Sequence, residues 1–203
     1  MKTIKLISIA IIATLIASSC EWMGSQTVIG SGDVESMEVR VAKFSGVSVT
    51  GTCDVDIQIG ETQEVWFSAQ PQILDVLTYE VRNDILEIGF KSNVNVKPGR
   101  DIRAEIVLPA LSYVAVTGAG NYTLSGSEQA DLDINITGTG KVNAYDMKVD
   151  HCTVIISGAG SCEVNVDKNL DVYISGVGDV FYRGTPLVTT DVSGVGNVVD
   201  SNL

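Results

Sequence analysis

Histidine occurs once in 203 residues, tryptophan twice and proline four times, and 13 basic residues stand against 25 acidic ones. With so few cations, a nucleic-acid partner is not expected, nor is electrostatic attachment to an anionic bilayer. One histidine and four cysteines without metal-ligand spacing give no expected metal site, and no phosphate-cradling loop is present, so no cofactor is expected. The longest apolar stretch, Leu6 to Ile16, has eleven residues and is too short for a permanent membrane helix. What the chain does have is 45% hydrophobic residues, which excludes intrinsic disorder. It also has 20 glycines without the every-third-residue period of collagen, which points to recurring turns in a β protein.

Residues 1–19 read as an export signal. Lys2 and Lys5 form a basic start, Leu6 to Ile16 the apolar stretch, and Ala17-Ser18-Ser19 the small residues before a cleavage point. Ile16-Ala17-Ser18-Ser19-Cys20 resembles a bacterial lipobox, with alanine where leucine is commonest three residues before the cysteine. Cys20 is therefore the expected lipidation site. Acyl chains contributing about 0.8 kcal/mol per buried CH₂ would hold the protein to a membrane. Glu21 rather than aspartate follows Cys20, which favours the outer membrane; either face of it remains compatible. Residues 20–37 read as a lipidated, flexible tether with Gly24, Ser25, Gly30, Ser31 and Gly32. Without the signal the chain keeps 11 basic and 25 acidic residues, a net charge near −14.

Internal similarity dominates the rest. Thr117-Gly118-Ala119-Gly120, Thr137-Gly138-Thr139-Gly140, Ser157-Gly158-Ala159-Gly160, Ser175-Gly176-Val177-Gly178 and Ser193-Gly194-Val195-Gly196 recur at intervals of 20, 20, 18 and 18 residues, and Thr50-Gly51-Thr52-Cys53 is a weaker copy. Aligned on the first glycine, Val116, Ile136, Ile156, Ile174 and Val192 form one apolar column and Val114, Ile134, Val154 and Val172 another, alternating with mostly polar positions. Such alternation predicts strands on both sides of each glycine corner. A period this short excludes βαβ units and propeller blades. The predicted fold is an all-β, right-handed parallel β-helix with 18–20 residues per coil, in one domain over 38–203. Residues 38–110 would form an irregular half or cap containing Trp66 and Phe67, and 111–203 regular coils. Within the irregular half, Glu64 to Ala69 reads as a strand and Pro71 to Leu77 as a short helical turn. Tyr79–Arg82 and Ile85–Ile88 read as hairpin arms around Asn83-Asp84, and Ile102 to Leu108 as a further strand.

The lipobox, the strand from Val39 to Val49, the Asp84-Ile85-Leu86-Glu87-Ile88 stretch, the Leu108-Pro109-Ala110-Leu111 approach and the serial Ser/Thr-Gly-x-Gly-x-Val motifs together resemble the autotransporter-adhesin head GIN domain family, over about Val39 to Val199. The resemblance implies an exported bacterial protein with a β-helical fold and an adhesin-like role. It implies no catalytic residues.

Weighed singly, the reactive residues point the same way. His151 and Cys152 are neighbours on a strand and should face opposite sides, Cys152 inward with Leu132 and Leu170. Cys53, Cys152 and Cys162 remain after lipidation, and packing explains them better than a disulfide, although export would permit one. Asp133 and Asp171 fall in one outer column with Asp131 beside it. Their expected separation of ~9.6 Å, two strand spacings, is at the upper limit for an inverting glycosidase pair. The face lacks a cluster of arginines or lysines for an acidic sugar, so a solvated surface is the preferred reading; Asp54 and Asp56 are read alike. Asn121-Tyr122-Thr123 and Asn135-Ile136-Thr137 match the glycosylation sequon, which carries no information in a bacterial lipoprotein.

Tyr113, Tyr173 and Phe181, with Tyr145 on a return loop, are the candidate ligand contacts: aromatic rings on outer faces can stack on sugars or pack on a protein. The plainer alternative is that they cover sheet surface. The last segment, Val188 to Val199, lacks a capping helix and leaves strand edges on which a second copy could pair. The expected function is a lipid-anchored, non-catalytic envelope module that binds a glycan or protein in an adhesin-like manner. A carbohydrate-active enzyme using Asp133 and Asp171, and a self-associating structural envelope protein, are the alternatives.

Overall fold

The structure, a computed structural model, describes residues 26–202. The export signal, Cys20 and the start of the expected tether lie outside the described residues.

Sixteen strands and one helical turn make up the described chain. A short parallel sheet joins β1 (Gln26–Ile29) to β8 (Val94–Lys97). Thus part of the expected tether is strand, with Val28 and Val96 packed against the core. The other fourteen strands form one curled, mixed sheet. Its regular part consists of β10 (Tyr113–Val116), β11 (Ala119–Ile136), β12 (Thr139–Ile156), β13 (Ser161–Ile174), β14 (Val180–Gly184), β15 (Leu187–Val192) and β16 (Val198–Asp200), all paired in parallel.

β11, β12 and β13 each run through two arms of the sheet. Register shifts mark the bends, between Gly126 and Gln129 and again between Ala144 and Lys148. The first halves pair with β4 (Asp54–Ile59) on one side and β14 on the other. The second halves lie between β10 and β15. Alternation buries Val142, Ala144, Val154 and Ile156 in β12 and the equivalent residues of its neighbours, and both arms pack onto one apolar core.

The predicted β-helix is not what the whole chain forms. β2 (Glu35–Val39) and β5 (Glu64–Ala69) run antiparallel, as do β5 and β9 (Arg103–Leu108), and β6 (Leu77–Arg82) and β7 (Ile85–Phe90). The physical cause is local. Asn83 and Asp84 adopt positive φ of 49° and 66°, the conformation of a tight hairpin turn, and send the chain straight back. β6 is thereby reversed against β7, which itself pairs in parallel with β3 (Gly46–Val49). The result is an all-β, curled mixed half-barrel rather than a parallel solenoid. The hairpin and the strands β5 and β9 fall where the sequence places them, and the helical turn α1 (Pro71–Leu74) is shorter than the expected Pro71 to Leu77, since Leu77 opens β6. Phe67 is fully buried, whereas Trp66, its strand neighbour, faces outward.

At the corners the glycines are sterically required. A Cβ on Gly158 would collide with the carbonyl oxygens of Thr137 and Gly138 in the adjacent strand connection. Those same connections are joined by bonds from Gly158 N–H to Ile136 O (3.1 Å) and Ala159 N–H to Gly138 O (2.9 Å). Close backbone approach is what allows the corners to stack.

Candidate functional site

The outer face of the second arm carries the side chains most suited to contact. Register assigns Asp131, His151, Asn169 and Leu187 to one column. Tyr113, Asp133, Thr153, Asp171 and Thr189 form the next. Ala115, Asn135, Ile155, Tyr173 and Asp191 form the third. The hydroxyls Thr137, Ser157, Ser175 and Ser193 follow at the corner, and Ser175 Oγ donates to Ser157 Oγ at 3.3 Å.

Tyr173 is 44% exposed, and Ile155 beside it on β12 is 36% exposed. Asp171 and Ser175 lie two residues along the strand on the same side, and Asp191 is its partner on β15. An apolar surface is thus framed by hydrogen-bonding groups. Tyr113 is different. It is half-buried over Gly46, where an added Cβ would stand 3.2 Å from the Tyr113 Cβ and 3.0 Å from Ile85, so its ring covers sheet surface. Phe181 projects from β14 on the other arm, between Glu163 and Val199. The three aromatic candidates therefore do not form one site. Tyr113 and Tyr173 share an arm but stand three strands apart, ~14 Å by strand spacing.

Asp133 and Asp171 do occupy one column, with Thr153 between them. Both lie on the open outer face, Asp133 exposed and Asp171 half-buried. His151 is exposed and Cys152 is buried between Leu132 and Leu170. Cys53, Cys152 and Cys162 are free and buried. Burial, helped by the Asp54 charge, pushes the Cys53 thiol up to about 12, and burial raises the other two as well. These thiols are poor nucleophiles at neutral pH. Among the described residues no group of three or more His, Cys, Asp or Glu is placed to hold a metal ion.

Several polar partnerships were not legible in the sequence. Asp54 Oδ1 accepts from both the backbone and side-chain N–H of Asn121 (2.8 and 3.1 Å), and Asp179 Oδ1 accepts the same pair from Asn197 (2.8 and 3.0 Å). Asp54 thus has a structural task, while Asp56 meets Arg103 at 3.5 Å. On the first arm Arg183 lies 3.9 Å from the Tyr145 ring centroid, a cation–π contact that occupies one face of that ring. Ile155 as the neighbour of Tyr173 could have been found from the glycine-aligned columns, since it sits 18 positions earlier. Its exposure could not.

The fold is an all-β, mixed-sheet architecture whose broad outer face carries an aromatic framed by carboxylates and hydroxyls. The chain belongs to the family described as "Putative auto-transporter adhesin, head GIN domain", whose model matches residues 43–135 and, overlapping them, 113–186. It is similar in fold to a putative adhesin from Bacteroides fragilis, at 15% identity and a TM-score of 0.61, covering 84% of this chain and 98% of that one. Putative adhesins from Parabacteroides merdae (14% identity, TM-score 0.48, 87% and 100% covered) and Parabacteroides distasonis (18% identity, TM-score 0.44, 85% and 99% covered) are also similar. No curated protein matches the sequence.

Proposed function

We propose that this chain is a lipid-anchored cell-envelope module that binds a glycan in an adhesin-like manner and does no chemistry on it. Membership of the adhesin-head family suggests an envelope or surface protein. The observation that carries the binding reading is the exposed Tyr173–Ile155 pair bordered by Asp171, Ser175 and Asp191. An apolar ring stacks on the C–H face of a sugar while neighbouring carboxylates and hydroxyls accept and donate to its hydroxyls. The sheet beneath holds these groups at strand spacing, so little ordering is needed on binding. Anchoring through Cys20 rests on the lipobox.

The test is a glycan-array screen of the protein, with release of sugar fragments assayed on every hit. Binding without cleavage, weakened at least tenfold by Tyr173→Ala but not by Asp133→Ala, supports the proposal. Cleavage abolished by Asp133→Ala or Asp171→Ala would establish the enzymatic alternative instead. Anchoring is tested separately: Cys20→Ala should move the protein from the membrane to the soluble fraction, and its remaining on the membrane would refute the anchor.

A further inference from the structure

The cations of this protein are unevenly placed. On the first arm Arg103 meets Asp56 (3.5 Å) and Lys141 meets Glu163 (2.6 Å), and at the bends Lys148 meets Asp167 (3.1 Å) and Lys168 meets Asp150 (2.7 Å). The outer columns of the second arm, from β11 to β15, contain no lysine or arginine. They hold Asp131, Asp133, Asp171 and Asp191, with His151 as their one basic side chain. Among the described residues these four aspartates have no ion pair, and Asn135 Oδ1, in the Tyr173 column, is buried without a donor. Further along the same face the first arginine is Arg82 on β6, four strands from Asp133 or ~19 Å by strand spacing. It is held there by Glu80 (2.6 Å) and Glu87 (3.2 Å). The negative charge around Tyr173 is thus left without a partner in the fold.

We propose that the glycan taken by this face carries free amines, as a glucosamine chain does, and that acidic glycans are rejected. The inference deepens the glycan reading above and rests on it. Tyr173 stands between the two carboxylates that hold the amine. Asp171 is two residues before it on β13 and Asp191 is its partner on β15, so their Cα atoms lie diagonally across the strand pair, about 8 Å apart by strand spacing and rise. An ammonium over the ring can donate three hydrogen bonds and has a carboxylate on either side. Its attraction to the face of the ring adds to both. Thr153, Ser157 and Ser175, beside Tyr173 on β12 and β13, donate to and accept from the sugar hydroxyls. An N-acetylated sugar lacks the charge, and a uronate or sulfate brings like charge against the aspartates. Trp66 on the other arm is also exposed between carboxylates, Glu38 and Glu105. There Arg103 stands diagonally beside the ring, a cation that the Tyr173 face does not have.

The test is titration calorimetry of the full chain in detergent with two hexamers that share one backbone, β-1,4-linked glucosamine and its fully N-acetylated form. In low salt the glucosamine hexamer should bind at least about fivefold tighter. The gap should close to within about twofold near 1 M salt, where the screening length is about 3 Å. Tyr173→Ala should weaken the glucosamine hexamer by about tenfold or more. Asp171→Asn with Asp191→Asn should remove its preference. Glu38→Gln with Glu105→Gln, an equal change of net charge on the other arm, should keep it.

Equal affinity for the two hexamers overturns the amine and leaves the glycan reading standing. A preference lost in the Glu38→Gln, Glu105→Gln variant instead places the amine elsewhere and overturns the inference, as does tighter binding of an oligogalacturonate. Hexalysine bound as tightly as the glucosamine hexamer means that charge alone is read, which refutes the sugar class. If no sugar binds, the glycan reading fails and this inference with it.

Discussion

Replacing Gly158 by alanine should destabilise the protein by about 3–5 kcal/mol. The added Cβ would overlap the Thr137 and Gly138 carbonyl oxygens, which are backbone atoms and cannot rotate away. Relief requires the two strand connections to separate, and overpacking of that kind typically costs about 1–3 kcal/mol. Separation also lengthens the bonds to Ile136 O and Gly138 O, each contributing about 1 kcal/mol. For a chain of this size the sum corresponds to a fall in Tm of roughly 6–20 °C. Two further glycines separate the causes. Gly32 has φ of +83° and no atom within 4 Å of the added Cβ, so Gly32→Ala isolates the dihedral cost, about 1 kcal/mol. Gly89 has ordinary φ, and its nearest neighbours are Thr78 Oγ1 at 3.6 Å and Thr50 O at 3.7 Å. Gly89→Ala should therefore be neutral or stabilise by up to about 1 kcal/mol through the unfolded chain. Urea melts of the three variants give the ranking directly. If Gly158→Ala lies within about 0.5 kcal/mol of the parent, close backbone approach is not why glycine stands at these corners.

Stability should also fall steeply in alkali. Buried thiols stay protonated in the folded state while the unfolded chain releases their protons above about pH 8.5, so each costs about 1.4 kcal/mol per pH unit there, about 4 for all three. The loss for Cys53 ends as pH passes its folded value near 12, and a urea midpoint unchanged between pH 8 and 10.5 would refute the burial of these groups. By the same burial, a thiol reagent at pH 8 should leave Cys53, Cys152 and Cys162 unmodified until denaturant is added; rapid labelling of the native protein would contradict it. The Tyr122 hydroxyl is buried in the core without a hydrogen-bond partner, so Tyr122→Phe should be neutral or stabilise by about 1 kcal/mol in thermal melts, and a loss above that would point to a partner. Asp150 is held below the usual carboxylate range by its bond from Lys168 (2.7 Å), so this pair should support the fold above about pH 4 and lose its effect as pH drops through the depressed value. Its exposure makes the effect small, and a large stability difference for Asp150→Asn at pH 7 would contradict that.

The apolar columns were legible because strand alternation has period two and each glycine corner resets the count. Val114, Ile134, Val154 and Val172 align from the motifs alone, and the structure pairs them in that register. Cys152 beside Leu132 and Leu170 followed by the same rule. The rule was silent on strand direction. An alternating segment such as Val65–Phe67–Ala69 has the same pattern whether its neighbour runs parallel or antiparallel, so the corner motifs of 111–203 were read as β-helix coils, with 38–110 as an irregular half or cap. Asn83-Asp84 marked the hairpin, but not that its first strand, β6, would end the sheet.

Which aromatics are free was likewise undecided by pattern. Tyr113 and Tyr173 both stand at outward positions, and only the tertiary structure sets Tyr113 into the space over Gly46 while leaving Tyr173 open beside Ile155. By itself the sequence determined the all-β class, the corners, the core columns and an expected lipid anchor, because these depend on residue type at short, fixed spacing. The tertiary structure decided strand direction and the mixed half-barrel. Those depend on which distant segments meet, and the free energy of that choice lies in side-chain packing across the sheet rather than in any local run of residues.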